Sequence, residues 1–571
     1  MLKGLLGSLW RRGKAGEAAH KGLAALQAGD LTVAETAFRR ALAANCDTAE
    51  VYSGLGSVLW RQGRLDEGLE ALRLAVDREP SSPRYQLDLA LALEKGAPDE
   101  ALQHLRRLRK LLPDEPQIEA RLHKLLMELC DWDAVERAIG ELEARAAREP
   151  AEQWTLRVDP FVVQLLPIDP NLVVEAVRQH ARRVARTAVA VERQAHAARP
   201  PRCRLGYVAA EFRDHATAHL AAGLFEQHDR GRFELFAYSL SRGDGSDYTQ
   251  RARAAFDHFV DLSAVSDVDA ARKMASDGID ILIDLKGYTS GARPGIFARR
   301  PAPIQVNYLG YPGSMQAAFI DYLIADAIVV PRRHFQWFSE SVVWLPESYQ
   351  PNDDRQRIDD LTPSRENLGL PERGMVYCCF NRSYKIERET FAAWMRILSV
   401  VPGSVLWLLW SNAATETRLR EAAVRAGVDP ARLLFAQRMP KPEHLARHRV
   451  ADLFLDTHTV NAHTTGSDAL WAGLPLLTWP GETFASRVAA SLLEAIGLPE
   501  LVVSSLADYE TTAVALGRDP ERLHRIRERL AENRLKMPLF RTADYARSLE
   551  RALETMQARQ LRGERPEAFA V

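Results

Sequence analysis

A period of 34 residues runs through the first part of the chain, and it restricts the fold there more than any other feature. Gly29 and Gly63 are 34 apart, as are Ala34 and Gly68, Phe38 and Leu72, and Ala41 and Ala75. Gly96 follows 33 residues after Gly63, and Cys130 follows 34 after that. Each unit has a small residue where two helices turn, then apolar residues at helical spacing, such as Ala34, Ala37, Phe38, Ala41 and Leu42. Small residues let paired helices approach, and stacking buries faces that no single unit could bury. Roughly three to four units are expected between about residues 15 and 148.

This period and pattern resemble the tetratricopeptide repeat, which implies a concave groove for peptide or protein partners. The repeats are assigned to residues 1–150 and a helical linker to 151–200, with a helix from Asn171 to Ala198. Beyond it the texture changes to short β-rich runs separated by helical patterns. The first series is Leu205–Val208, Leu235–Tyr238, Ile279–Leu285, Ile304–Leu309 and Val342–Leu345. The second is Met375–Phe380, Val405–Trp410, Leu433–Phe435, Leu453–Leu455, Leu474–Trp479 and Leu501–Val503. Alternating strands and helices build parallel sheets. Two series divided by the polar stretch Gln350–Arg365 predict two Rossmann-like halves, residues 201–360 and 361–571, the latter ending in a helix. The crevice between them is the expected ligand site.

Charge and cysteine usage narrow the class. The 75 basic and 76 acidic residues leave a net charge of −1, without the basic excess usual for nucleic-acid binding. The five cysteines are scattered and lack metal-ligand spacing, which fits a reducing cytoplasm and no metal cofactor. Cys378 and Cys379 lie in an apolar run and are expected as buried free thiols. Asp267-Val-Asp269 is read as a helix start, not a metal site. The N-terminus has a short apolar segment followed by basic residues, the reverse of a secretory signal. No run reaches the ~18 apolar residues of a membrane span. A soluble, membrane-free protein is expected.

Residues 461–468, Asn-Ala-His-Thr-Thr-Gly-Ser-Asp, sit between the run Asp452–Asp456 and a helical stretch, Ser467–Gly473. A strand, polar loop and helix in that order present backbone N–H groups and hydroxyls to phosphate oxygens. The imidazole of His463 adds a donor that could become cationic. Further polar clusters fall at predicted strand ends: Glu211–His219, Lys286–Arg293, Asn381–Lys385, and Lys441–His444 with Arg447. The second half thus collects Arg382, Lys385, Lys441, Arg447 and His463, a cationic group suited to a diphosphate leaving group. The first half offers His215, with Glu211 and Asp214, for acid–base or acceptor-positioning work. His219, Lys286, Arg293 and His458 are ambiguous, with His219 read as a helix-face residue.

Four ordered strings over about residues 203–550 resemble the catalytic region of the O-linked β-N-acetylglucosamine transferase family. They are LGYVAAEFRDHATAHL, KGYTSGARPGIFARRPAPIQVNYLGYPG, FNRSYKIERETF and NAHTTGSDALWAGLPLLTWPGETFASRVAAS. The repeats precede them, as in that family, and the short link between halves resembles a bacterial homologue. The resemblance implies a GT-B fold and inverting transfer from UDP-N-acetylglucosamine to Ser or Thr hydroxyls of proteins. It implies Lys385 and His215 as catalytic, with Lys385 at the diphosphate and His215 beside the sugar and acceptor. His463, Thr464 and Thr465 would hold phosphate oxygens, and Asp468 the ribose. His444 would stack on uracil, Arg447 would approach the base, and Met439 with Lys441 would complete that side. Thr217, Tyr288 and the run from Leu309 and Gly310 to Pro312 would line the sugar side. Arg382 stands where animal enzymes have Gln, Ala216 replaces Pro, Asp214 replaces Asn and Glu211 replaces Asp; these changes bear on acceptor choice. The acceptor's proton could go to His215 or to a donor phosphate oxygen. Other readings are a repeat-bearing O-fucosyltransferase using GDP-fucose, transfer to Asn, and a peptide-binding scaffold with a degenerate transferase domain.

Overall fold

The computed structural model describes residues 14–94, 96–113, 115–193 and 201–571. The N-terminal apolar–basic segment, and the end of the expected Asn171–Ala198 helix, lie outside them. One compact unit is formed by the chain up to Leu129, and a second by almost all of the chain from Cys130 on.

The first unit is helical: α1 (Lys14–Ala28), α2 (Leu31–Ala43), α3 (Ala49–Arg61), α4 (Leu65–Arg78), α5 (Pro83–Leu93), α6 (Pro98–Leu111) and α7 (Pro116–Glu128). The repeated glycines mark the turns, because Gly29 and Gly63 take φ of 81° and 84°, where a side chain is strained. Asp30 and Thr48 then cap α2 and α3 by accepting from Val33 N and Val51 N. Phe38 is fully buried among Ala18, Ala19, Val51 and Leu55, so the apolar positions of the period are the core.

The second unit begins with α8 (Trp132–Arg148), whose Trp132 Nε1 donates to Ile386 O at 2.8 Å. Residues 132–148, expected with the repeats, therefore belong to the second unit. Helix α9 (Pro170–Arg186) follows, capped by Asp169, and ends twelve residues before the expected Ala198.

Two parallel sheets follow. The first contains β1 (Cys203–Ala209), β2 (Phe233–Ser239), β3 (His258–Asp261), β4 (Ile281–Asp284), β5 (Ile304–Asn307), β6 (Tyr322–Ala325) and β7 (Ser341–Trp344). The second contains β8 (Val376–Cys379), β9 (Val405–Leu409), β10 (Leu433–Ala436), β11 (Leu453–Leu455) and β12 (Leu476–Leu477). A last strand, β13 (Phe569–Ala570), returns to the first sheet. The orders are β13-β7-β6-β5-β4-β1-β2-β3 and β10-β9-β8-β11-β12. Central strands are covered on both faces, which is why β8 and most of β4 read as apolar runs, while β5 buries Gln305 and Asn307 with hydrogen-bond partners.

Three helices position the site: α10 (Ala216–Gln227) after β1, α11 (Lys441–Arg447) after β10, and α12 (Thr464–Trp471) after β11. The last long helix, α13 (Thr542–Leu561), corrects the expected boundary. Its Ala546, Leu549, Leu553 and Met556 pack into the first half's core with Leu205, Leu224 and Tyr308, and β13 pairs with β7. The final thirty residues thus complete the first half, not the second. The expected strand Leu501–Val503 is a short 3-10 turn followed by one bridge, Thr478 to Val502. Among the described residues no helix is long and apolar enough to cross a membrane.

Candidate active site

The polar clusters all lie after the carboxyl ends of parallel strands, where ligands of open α/β sheets bind. Lys385 ends a 3-10 turn after β8. Its ammonium is enclosed, donates to Asn461 O at 2.7 Å, and burial holds its pKa down to about 8 against the pull of Asp456. Asn461 belongs to the loop between β11 and α12. No side chain caps α12, so the N–H groups of its first turn, at Thr464 and Thr465, remain for a ligand. The dipole of the helix adds partial positive charge at the same end. Thr465 Oγ1 donates to Asn381 Oδ1 at 2.5 Å, tying α12 to the end of β8.

His463 departs from the expectation of a donor that could become cationic. Its Nε2–H is spent on Ala485 O at 3.0 Å, and burial holds its pKa down to about 3, with Lys385 adding to the effect. The ring is neutral and offers its Nδ1 lone pair. Positive charge at this loop therefore comes from Lys385 and the end of α12.

On the other side of α12, Asp468 is buried and accepts from Lys441 Nζ at 2.5 Å. His444, on α11 with Lys441, is partly exposed. Its ring lies 5.4 Å from Phe380 and 4.6 Å from His448, and burial holds its pKa well below the usual value. A neutral, half-covered ring of this kind can receive a flat heterocycle. Met439 is partly exposed just before α11. Arg447 does not reach this surface: it is 1% exposed, its guanidinium lies 4.8 Å from the Phe380 ring centre, and it donates to Gln437 O at 2.5 Å. That bond holds the loop that leads to Met439, while the buried Arg447 Nε has no hydrogen-bond partner among the described residues. Arg382 is exposed, its guanidinium 5.9 Å from the Tyr384 ring.

In the first half, His215 is the N-cap of α10. Its Nδ1 accepts from Thr217 N–H at 3.3 Å, so the neutral ring carries its proton on Nε2. Burial lowers its pKa, opposed by Glu211. Glu211 is not free for proton transfer: it is buried and ion-paired with Lys286 Nζ, and its other oxygen accepts from Ala210 N. Asp284 beside them accepts from Lys286 N and Gly287 N, and burial pushes its pKa up to about 7. Asp214 is exposed and bonds His219 Nε2 at 2.6 Å. The pKa of His219 is lowered by burial and by the charge of Lys441, so this face of α10 fronts the second half's Lys441–Asp468 pair. The His219 ring lies 4.7 Å from that of Tyr248, as expected of a packing or helix-face residue.

The turn after β5 is held by close backbone approach. Leu309 has φ of 67°, and a Cβ on Gly310 would lie 1.9 Å from Leu285 O. Pro312 lines an apolar cavity of about 60 Å³ with Leu166, Val173, Trp337, Phe484 and Ala485. Tyr288 does not line this side: it is buried, donates to Met315 O at 3.0 Å, and packs edge-on against His180 and Tyr311.

Asn381, Asp456 and Asn461 are fully or nearly buried beside Lys385; Asn381 and Asn461 lie in the polar clusters without an assigned role, and Asp456 lies outside them. The signal was present as an acid closing the run Asp452–Asp456. Asp267 pairs with Arg293, and Asp269 with Arg272 and Ser266, so Asp267-Val-Asp269 starts a helix. None of the five cysteines forms a disulfide, and Cys378 and Cys379 are buried.

Helical repeats followed by two parallel-sheet halves, with cationic and hydroxyl groups at their strand ends, define a repeat-bearing protein of the GT-B glycosyltransferase class. Residues 129–363 and 352–549 match glycosyl transferase family 41, and residues 20–83 and 54–116 match the tetratricopeptide repeat. The chain belongs to glycosyl transferase family 41. It is 39% identical over 459 residues to a probable UDP-N-acetylglucosamine–peptide N-acetylglucosaminyltransferase of Arabidopsis thaliana, covering 78% of this chain and 47% of that protein. It is 30% identical over 552 residues to a UDP-N-acetylglucosamine–peptide N-acetylglucosaminyltransferase of Caenorhabditis elegans, covering 76% and 48%. The chain thus spans about half the length of these curated relatives. Its structure resembles that of an O-GlcNAc transferase mutant from Thermobaculum terrenum, with a TM-score of 0.75, 27% identity, and 96% and 98% of the two chains covered.

Proposed function

We propose that the protein is an inverting glycosyltransferase that moves N-acetylglucosamine from UDP-N-acetylglucosamine to Ser and Thr hydroxyls of proteins. The observation that carries the reading is the enclosed Lys385 ammonium beside the uncapped start of α12. A leaving UDP gains negative charge as the anomeric C–O bond breaks, and fixed cationic groups in a water-poor site stabilise that charge most. In this reading no metal ion is needed: Lys385 and the N–H groups of Thr464 and Thr465 meet the diphosphate. Asp468 takes the ribose hydroxyls, and the neutral His444 ring stacks on uracil with Met439 and Lys441 beside it.

The acceptor hydroxyl forms its bond to the anomeric carbon on the face opposite the departing phosphate, with the first half orienting it. Its proton goes to a donor phosphate oxygen. His215, whose Nδ1 is occupied, serves as an Nε2–H donor toward the sugar or acceptor oxygen. Thr217, Leu309, Gly310 and Pro312 bound the sugar. The tetratricopeptide repeats of the first unit support a protein or peptide acceptor, and five cysteines outside any disulfide support a reducing, cytoplasmic setting.

Intact-mass analysis of candidate proteins incubated with UDP-N-acetylglucosamine tests the reading. Lys385→Met is expected to cut transfer by at least about 10²-fold, the scale of losing one oxyanion-stabilising group. Thermal shift with UDP, but not GDP, is expected for the folded protein. Wild-type turnover in a folded Lys385→Met variant, or a preference for GDP, would overturn the assignment.

A further inference from the structure

We infer that Asp456 is the positioning residue of the diphosphate loop, fixing the path of residues 457–462 and with it the Asn461 carbonyl that holds the Lys385 ammonium. The inference rests on the reading of Lys385 and α12 as the leaving-group site. Asp456 is fully buried at the end of β11. Its Oδ1 accepts from Thr457 N at 2.8 Å and from Ala462 N at 2.7 Å, so one oxygen ties both ends of the loop. Asn381 Nδ2, after β8, reaches the same oxygen at 3.3 Å. Oδ2 accepts from Thr478 Oγ1, after β12, at 2.7 Å. A single carboxylate thereby joins the ends of neighbouring parallel strands on both sides of β11.

The residue that grips Lys385 lies inside this ring. Asn461 Nδ2 donates to Thr457 O at 2.7 Å, and Asn461 O accepts from Lys385 Nζ at 2.7 Å. A shift of the loop at either tied end would move that carbonyl, and with it the ammonium. Charge acts along the same path. Burial raises the pKa of Asp456 to about 6, while Lys385 is held at about 8 by burial, with Asp456 as its largest opposing influence. The other titratable groups at this pair and its loop are Cys379, its thiol pushed well up by burial, the neutral His463, and Glu387, which accepts from Thr459 N at 2.6 Å and whose pKa burial raises. Tyr509 donates to the backbone carbonyl of Asp456 at 3.0 Å and does not touch its carboxylate. Between about pH 6 and 8 the pair is carboxylate and ammonium, and Asp456 maintains the cation that a diphosphate meets.

Calorimetric titration of the full chain with UDP, from about pH 5.5 to 9, tests this. Wild type, Lys385→Met, Asp456→Asn and Thr478→Val are compared, so that titration of UDP itself is common to all. Lys385→Met is expected to weaken UDP at every pH, by about tenfold or more, the effect of one lost charge-assisted contact. Asp456→Asn keeps an Oδ1 acceptor for the loop and removes the charge. Its high-pH loss of affinity is expected to move down by about one unit or more, the usual influence of an adjacent opposite charge. Thr478→Val leaves the charge but removes one bond that anchors the carboxylate, so it is expected to weaken UDP by about twofold or more at every pH, the scale of one lost hydrogen bond, with the high-pH limb unmoved. An Asp456→Asn variant that weakens UDP without moving the high-pH limb overturns the inference. If Asp456→Asn does not fold, wild-type UDP affinity in Thr478→Val overturns it equally, because the carboxylate then does not hold the loop. Absence of UDP binding by the wild type, or wild-type binding by Lys385→Met, is a different result: it removes the leaving-group site itself.

Discussion

Single residues changed meaning when their partners became visible. His215 follows a strand and precedes a helix in the sequence, a position that suits a catalytic base. The structure makes it a helix cap, and the lone pair a base would need is already in use. Cap and chemistry can be separated. His215→Asn keeps a cap acceptor, so its melting temperature should stay near that of the wild type, while turnover falls by about 10² or more. His215→Ala should lose both, with a stability cost of about 1 kcal/mol from the missing cap. Thermal melts and single-turnover rates on the pair check this; a wild-type rate for His215→Asn would remove the ring from the chemistry. Residues of the anion loop were legible because polar groups between two apolar runs stand out. Arg447 was not, since spacing on α11 shows which residues share a face but not what covers it. Phe380 and Trp407, distant in sequence, provide that cover. Asp456 reads as any acid closing a strand until its partners from β8 and β12 are in place.

At the level of elements, the sheets were legible where strands are buried on both faces. The half-exposed β3 escaped because its residues do not form an apolar run, and the short Tyr322–Ala325 strand also escaped. Leu501–Val503 is apolar enough to read as a strand, but a turn occupies its start and only one bridge forms. The Leu309–Pro312 turn shows how an element constrains chemistry without charge. Any side chain at 310 collides with the carbonyl of Leu285, which is itself backbone at the end of the β4 region. The turn must then move by about 1 Å, a displacement that can cost about 10² in rate. Gly310→Ala is therefore expected to lose transfer on that scale while binding UDP as the wild type does, because α11 and α12 are untouched. Calorimetry and turnover on one preparation separate the two; equal loss of both would show that the turn supports the nucleotide side as well.

For the second unit as a whole, sequence order misleads about membership. The chain leaves the first half after β7 and comes back at α13, and the two crossings are bonded to each other. Thr542 Oγ1 donates to Asn352 O at 2.6 Å, and Asn352 Nδ2 to Leu539 O at 3.2 Å. On α13, Glu550 accepts from Asp229 N at 2.8 Å and contacts the buried His228 ring, while Leu549 and Leu553 fill the first core. Leu549→Ala should cost about 2–5 kcal/mol, the range for emptying a buried leucine site, read as a lower denaturation midpoint. Native-state UDP affinity should be unchanged, and a stability loss below about 1 kcal/mol would contradict the packing.

The second half is thus an insertion within the first, entered and left through one paired crossing. Damage to the last thirty residues would be felt at the β1–β7 sheet, about two hundred to more than three hundred residues upstream, before it reached the neighbours that precede them in the chain.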